Sequence, residues 1–450
     1  MTQTGELHRK ELMKLLNEED IETFRNEFLD LLPYDQAVFF QEQPKQIRLR
    51  IYSYLSPREI SEIMKNIDIE DTELFITEMD PQYATMVFSE MPYDDTVDIL
   101  QELKRDEVAS FLAIMDEDTV KEIKTLLRYE EKTAGSIMTT EYVSVYKNQT
   151  VAETFKQMKI EAPDAETIYY TYVLDDNKRL VGVLSLRSLI IAESDELIKD
   201  IMGENVVSVS AGRDQEEVAQ MIRDYDFLAL PVVDFQNHLL GIITVDDIID
   251  VMDAEAHEDY SKLAAISEID SPDSMPITSA KKRLPWLIIL MFLGIITASL
   301  IGSFEDTLEK VPVVAIFIPL IAGMAGNAGT QSLAVAVRGI ATGEYGKGSK
   351  LILILKEALT GLLIGITIAI LITLLITVWK GNFYLGALVG VAIFFTLIVA
   401  TLSGALIPLL MEKFNIDPAV ASGPFITTLN DITSVLIYFG LATTFMSLLL

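Results

Sequence analysis

The sequence contains no cysteine, three histidines and two tryptophans, and its 35 Lys and Arg stand against 67 Asp and Glu. Without a thiol there is neither a disulfide nor a thiolate metal site. The shortage of positive charge, a formal net of −32, argues against nucleic acid and anionic headgroups as partners, because such a field repels phosphate and gathers cations, divalent ones most strongly. Acidity also keeps a domain soluble, and that simpler reading stays open for any single carboxylate. Walker-type glycine loops, zinc signatures and nucleophile elbows are missing, so the chain is not expected to be an enzyme. The first twenty residues are charged and lack an apolar core, which points away from a cleaved signal peptide.

What the sequence does have is divided between two solvents. Leu284 to Leu450 holds eight acidic and seven basic residues, which leaves a net of −31 on positions 1–283. Five stretches, at 285–304, 311–337, 351–379, 385–411 and 418–448, are apolar over the roughly 20 residues that a hydrocarbon layer requires. With positions 1–283 in the cytosol, the inner flanks carry Lys281, Lys282, Arg283, Arg338, Lys347, Lys350, Lys356 and Lys413, and the outer loops only Lys310 and Lys380. The N-terminus is therefore expected inside and the C-terminus outside.

Positions 1 to 130 repeat every 11 or 12 residues, with units beginning near Leu32, Gln43, Leu55, Ile67, Met79, Met91, Leu103 and Met115. One short helix per unit, with Pro33, Pro57, Pro81 and Pro92 at helix starts, predicts a small helical solenoid. A longer repeat follows: Ile137-Met138 and Val143-Ser144-Val145 return as Ile201-Met202 and Val207-Ser208-Val209, and Leu180–Ser185 returns as Leu239–Thr244. Each half reads as short strands with helices between them. A charged segment from Ile249 to Arg283 leads to the first span, helical to about Ser267 and then broken by Pro272 and Pro276. The expected architecture is a multidomain membrane protein: an all-α helical-repeat N domain at 1–133, an α/β pair at 134–200 and 201–252, an acidic linker helix at 253–283, and a five-helix α transmembrane domain at 284–450.

Asp431 lies inside the fifth apolar stretch, in the run Thr427-Thr428-Leu429-Asn430-Asp431-Ile432-Thr433-Ser434. A carboxylate in hydrocarbon costs about 2.5–3.5 kcal/mol or more and is retained chiefly at ion or proton pathways. The alternative is a protonated Asp431 hydrogen-bonded to a neighbouring span. Thr427, Thr428 and Ser434, at i−4, i−3 and i+3, put hydroxyls on its helix face. An oxygen-only lining suits a hard divalent ion that keeps its waters, as magnesium does. Five spans with one carboxylate do not easily enclose a pore, so a homodimer about an axis along the membrane normal is expected. The run Gly323-Met324-Ala325-Gly326-Asn327-Ala328-Gly329-Thr330-Gln331-Ser332 reads either as close helix packing or as loosened backbone lining a cavity, and its amides and hydroxyls favour the cavity. Asp417, ahead of Pro418, reads as a helix cap or as a pore mouth.

Carboxylates also pair along the soluble part. Asp246 and Asp250, Asp247 and Asp250, Glu255 and Glu258, Glu255 and Asp259, and Asp94 and Asp98 each share a helix face. Like charges at these spacings destabilise a helix unless something neutralises them, and divalent ions would do so.

The sequence resembles known families at several of these points. Leu230-Pro231-Val232-Val233-Asp234 and Gly241-Ile242-Ile243-Thr244-Val245-Asp246-Asp247 are similar to a tandem CBS-domain pair, over about 137–252. Gly241-x-x-Thr244-x-x-Asp247 is similar to the ribose-binding pattern of nucleotide-binding CBS domains, whereas Gly182-x-x-Ser185-x-x-Ser188 lacks the Asp. That resemblance implies one site for ATP or another adenine nucleotide, at Thr244 and Asp247.

The order of domains, the glycine-rich run at 323–332 and the Asp431 segment together resemble the MgtE family of bacterial magnesium channels over essentially the whole chain. The resemblance implies Mg2+ uptake across the bacterial plasma membrane by a homodimer whose cytosolic regions sense internal Mg2+. It implies a central pore residue at Asp431 and a cytoplasmic mouth at Asp417. It also implies regulatory Mg2+ sites at Asp94, Asp98, Glu216, Asp226, Asp247, Asp250, Glu255, Glu258 and Asp259, with Glu62 as a further candidate. For Glu216 and Glu62 the resemblance is the whole basis. Two rival classes remain: a membrane-tethered CBS sensor has no need of an intramembrane Asp, and a nucleotide-regulated enzyme needs a catalytic site that the sequence does not show.

Overall fold

Pro33, Pro57 and Pro81 each occupy the first turn of a helix, where the missing N–H has no intrahelical partner to lose. The computed structural model describes residues 3–267, 275–342, 350–414 and 416–449. Its N-terminal part consists of α1 (Gln3–Glu18), α2 (Ile21–Leu29), α3 (Pro33–Gln41), α4 (Lys45–Tyr54), α5 (Pro57–Met64), α6 (Ile69–Glu78), α7 (Pro81–Ser89), α8 (Tyr93–Glu102), α9 (Arg105–Leu112) and α10 (Glu117–Leu126). From α3 onward the helices follow the repeat one for one. Pro92 differs from the other prolines in being the cap residue of α8, just outside the helix. Ser56 and Glu59 close α5 with a reciprocal capping box.

Phe24, Phe28, Phe39, Phe40 and Phe88 are at most 1% exposed, each contributing up to about 3 kcal/mol of burial. Between α4 and α6, Arg48 meets Glu78 through Nε to Oε2 at 2.9 Å and Nη2 to Oε1 at 2.6 Å. The guanidinium also lies over the Phe75 ring.

Two three-stranded sheets follow, each carrying the same topology. β1 (Tyr142–Tyr146) runs parallel to β2 (Thr167–Leu174), which pairs antiparallel with β3 (Leu180–Ser185); α11 (Val151–Glu161) connects the first two strands and α12 (Leu186–Ile191) follows the third. After α13 (Ile198–Ile201), β4 (Val209–Ser210), α14 (Gln215–Tyr225), β5 (Ala229–Val233) and β6 (Leu239–Thr244) repeat the pattern. The two halves share a core of Tyr172, Leu174, Leu180, Ala229, Val233 and Ile242. The second half is also continuous with the helical part: one cluster runs from Leu12 through Phe111 to Val218, Leu230 and Ile248.

The chain divides into two units, Met1–Val251 and Met252–Leu450. α15 (Val245–Leu263) begins in the first and ends in the second. Its end differs from expectation. Ile266 N donates to Ser261 O and Ala265 N to Lys262 O, with Ala265 at φ +57°, a Schellman-type stop that ends the helix at Leu263. Pro276 opens the next helix instead of breaking one, and Pro272 lies outside the described residues. Lys281, Lys282 and Arg283 accordingly belong to the first spanning helix, α16 (Pro276–Gly302), and not to a linker helix reaching 283.

The rest of the second unit is α17 (Glu305–Lys310), a 3-10 turn at Pro312–Phe317, α18 (Ile318–Ala341), α19 (Lys350–Lys380), α20 (Phe383–Lys413), a 3-10 turn at Pro418–Val420, α21 (Gly423–Thr444) and α22 (Met446–Leu449). Among the described residues, five helical segments are long and apolar enough to cross a membrane. The loop holding Lys347 lies outside the described residues. α20 packs against α18, α19 and α21, whereas α16 buries none of its residues within the chain.

The glycine-rich run is unbroken helix in α18, which corrects the expectation of loosened backbone. Gly326 faces Thr427, Gly329 faces Asn430 and Ile426, and Gly404 of α20 lies against Gly329 and Ser332. These glycines let three helices approach closely.

Candidate functional site

In the spanning unit, Asp431 sits midway along α21 and is half-buried. Among the described residues its carboxylate makes no hydrogen bond and no ion pair, so the alternative of a hydrogen bond to a neighbouring span within the chain is not realised. Asn430 beside it is fully buried; its Nδ2 donates to Ala325 O at 3.5 Å and, among the described residues, its Oδ1 has no partner. The hydroxyl stripe is shorter than expected, because Ser434 is buried and donates to the Asp431 carbonyl at 2.9 Å, the usual resort of a hydroxyl inside a helix. Thr427 remains half-exposed and lies 3.4 Å from Thr330 of α18. Sequence reasoning treated the run 323–332 as one block. The structure separates it into a packing face of Gly326 and Gly329 and an exposed polar face of Asn327 and Gln331, one turn apart.

Asp417 does cap: its Oδ1 accepts from Ala419 N at 2.8 Å, at the head of the Pro418–Val420 turn. Its Oδ2 accepts a hydrogen bond from Lys262 Nζ. Lys262, which sequence reasoning passed over, also meets Glu258 Oε1 at 2.5 Å. Burial pulls on the Lys262 ammonium, but the bonds to Asp417 and Glu258 outweigh it and hold its pKa above the usual lysine value. Asp259 is raised by burial and then by the neighbouring Asp417. Asp250 and Glu255 lie on the same helix, α15, with Asp253 paired to His257 at 3.3 Å.

In the first unit, α8 presents Asp94, Asp95 and Asp98 toward carboxylates drawn from three other places. These are Asp247 in the first turn of α15, Glu141 just ahead of β1, and Glu166 just ahead of β2. Glu166 N donates to Glu141 O at 2.9 Å, which sets those two side by side. Burial is the first cause of every shift here, with mutual repulsion behind it: Asp95, Asp98 and Glu141 are pushed up to about 7 and Asp247 to about 6. Asp98 keeps an exposed side chain. Asp94 is raised well above the usual carboxylate range by burial and then by Asp95 and Asp247, is 8% exposed, and among the described residues leaves Oδ1 without a partner. Glu62 contributes weakly through Asp95, while Lys65 acts in the opposite sense on Asp95 and Glu141. An oxygen-only donor set with a buried unpartnered carboxylate oxygen fits a hard divalent ion. Among the described residues, however, no three His, Asp or Glu side chains are gathered tightly enough to share one.

Glu216 and Asp226 are not brought together. They sit at opposite ends of α14, about 15 Å apart at 1.5 Å per residue. In the second sheet's exit turn, Thr244 Oγ1 donates to Asp247 Oδ2. The equivalent turn of the first half has Ser185 and Ser188 hydroxyls 2.8 Å apart and no carboxylate.

A family model described as divalent cation transporter, MgtE, matches residues 318–441, one described as MgtE intracellular N domain matches 31–132, and CBS domains match 134–195 and 198–254. The chain is 49% identical over 437 residues to the magnesium transporter MgtE of Enterococcus faecalis, covering 97% of this chain and 96% of that one. It is 37% identical to the protein of that name from Thermus thermophilus, covering 96% and 97%. Among solved structures it is similar to the soluble part of a magnesium transporter, with TM-score 0.55, 47% identity, and 56% of this chain and 99% of that chain covered. It is also similar to the cytosolic domain of the Mg2+ channel MgtE in complex with ATP, with TM-score 0.52, 36% identity, and 54% and 99% covered.

Proposed function

The chain belongs to the MgtE family of divalent cation transporters, and from that premise we propose that it carries Mg2+ into the cell through a pore formed by two copies. The observation that carries this reading is the Asp431 carboxylate, at mid-span and without a counter-charge among the described residues. Two such carboxylates facing an axis, with Thr427, Asn327 and Gln331 offering further oxygens and amides, would hold a divalent ion through its waters and avoid the cost of stripping them. α16 has no fully buried residue and the polar face of α18 is exposed; a second copy and the lipid bilayer would cover them.

In this reading the chain is a bacterial plasma-membrane transporter with the N-terminus in the cytosol and the C-terminus outside. Asp417 lies at the inner mouth. The acidic face of Asp94, Asp98 and Asp247, and the α15 carboxylates Asp250, Glu255, Glu258 and Asp259, would take up cytosolic Mg2+ and close the pore. Raised carboxylates support this, because an ion that neutralises them removes the repulsion holding the face open. Glu62, Glu216 and Asp226 join only at the margin. Thr244 and Asp247 in the second half would hold an adenine nucleotide, as the ATP complex of a relative suggests.

Mg2+ entry into proteoliposomes, followed with an entrapped Mg2+ indicator, tests both parts. Flux should fall as Mg2+ on the cytosolic face rises, and neutralising Glu255, Glu258 and Asp259 together should leave it unchecked. A flux indifferent to Mg2+ on either face would remove the sensing role, and no flux at all would remove the transport role.

A further inference from the structure

Asp417 has both oxygens occupied from within the second unit: Ala419 N–H holds Oδ1, and the Lys262 ammonium holds Oδ2. Lys262 comes from 155 residues away in sequence, on the last turn of α15. That turn is seated as well as paired. Leu263 packs against Leu333, Val337, Ala419, Ala421 and Ile426, and its carbonyl lies against Gly423 at the head of α21. The Schellman-type stop at Ala265 then turns the chain away. Glu258, one turn earlier, aims Lys262 by its own 2.5 Å contact.

We propose that Lys262 is a tethered counter-cation that latches the end of α15 onto Asp417, holding the linker over the inner end of the spanning unit. The proposal rests on the reading of Asp417 as the inner mouth, and it deepens that reading by naming a fixed cation there. One ammonium does not neutralise Glu258, Asp259 and Asp417 together, so a net of two negative charges remains and a divalent ion is needed to complete closure. The ammonium supplies the constant part of the neutralisation and Mg2+ the variable part. A lysine that only competed with Mg2+ would oppose closure, and its removal would make closing easier; a latch predicts the reverse.

The test uses the full-length protein in lipid nanodiscs and chymotrypsin, which cuts beside Tyr260 and Leu263 and is indifferent to Lys262. The Mg2+ concentration giving half-protection should rise about fivefold in K262Q and in D417N, the upper range for a partly exposed ion pair. D417N keeps the cap to Ala419 and so checks against a folding defect. K262R should match the unsubstituted protein, because it keeps the charge, and the swap K262D with D417K should regain protection that K262D alone loses. A midpoint that is unchanged or lower in K262Q, or a K262R as exposed as K262Q, overturns the latch. If Mg2+ leaves cleavage of the unsubstituted protein unchanged, the sensing reading falls by itself. The latch is then judged on cleavage without Mg2+, where K262Q must still be cut faster than K262R by about the same factor.

Discussion

The side-chain amide of Asn430 rests directly on the Cα of Gly329, so that a Cβ added at 329 would run into Nδ2 and into the Ala400 carbonyl at 3.3 Å. The contact joins α18 to α21 one residue from Asp431, and with Gly404 it brings α20 to the same point. Gly329→Ala should therefore cost about 1–3 kcal/mol through overpacking and lower the melting temperature of the purified protein. Gly323→Ala, two turns away with nothing within 4 Å of an added Cβ among the described residues, should leave it unchanged. Equal melting of the two variants would show that close approach at 329 is not required.

The acidic face of the first unit carries a pH prediction. Asp95, Asp98 and Glu141 rise to about 7 and Asp247 to about 6, from ordinary carboxylate values of 3.8 for Asp and 4.5 for Glu. The folded state thus binds more protons than the unfolded chain between about pH 4 and 7. Their contribution is fully present below about 4 and is lost as pH rises through 6 to 7. With divalent ions chelated, thermal stability of the first unit within the intact protein should fall as pH is raised across that window, and Mg2+ should abolish most of the fall. A transition flat in pH, with or without Mg2+, would mean that these carboxylates do not face one another in solution.

Nucleotide should bind once per chain, at the second half. Thr244 and Asp247 are already hydrogen-bonded to each other, whereas Ser185 and Ser188 offer no carboxylate for a ribose. Calorimetry with ATP should find one site, and Asp247→Ala should weaken it about tenfold or more, the loss expected when a charged hydrogen-bonding partner is removed. Two equal sites, or unchanged affinity in the variant, would contradict the assignment.

Much of this was legible in the sequence, and the failures have physical reasons. The 11–12-residue period gave the helices from α3 onward, but α1 and α2 lie ahead of the repeat. Spacing along a helix found Asp94 and Asp98 and could not find Glu141 or Glu166, which come from loops of another domain. Asp95 was passed over for a simpler reason: i and i+1 do not share a helix face, yet a buried cluster gathers carboxylates from all sides. Lys262 was hidden inside an acidic segment whose net charge drew attention to its carboxylates. The glycine-rich run showed its composition but not which residues turn inward, since exposure of Asn327 and Gln331 is decided by how α18 meets α21. Pro276 reads as a helix breaker because its ring forbids a preceding turn; at the first helical position there is none.

The central claim is that Asp431 carries the permeating ion. Proteoliposomes holding Asp431→Ala, prepared at matched protein density and with unaltered size-exclusion behaviour, should show Mg2+ entry reduced to the level of empty liposomes. Asp431→Glu should keep part of the flux, because the charge survives while its distance to a hydrated ion changes. Entry at the unsubstituted rate through Asp431→Ala would contradict the account.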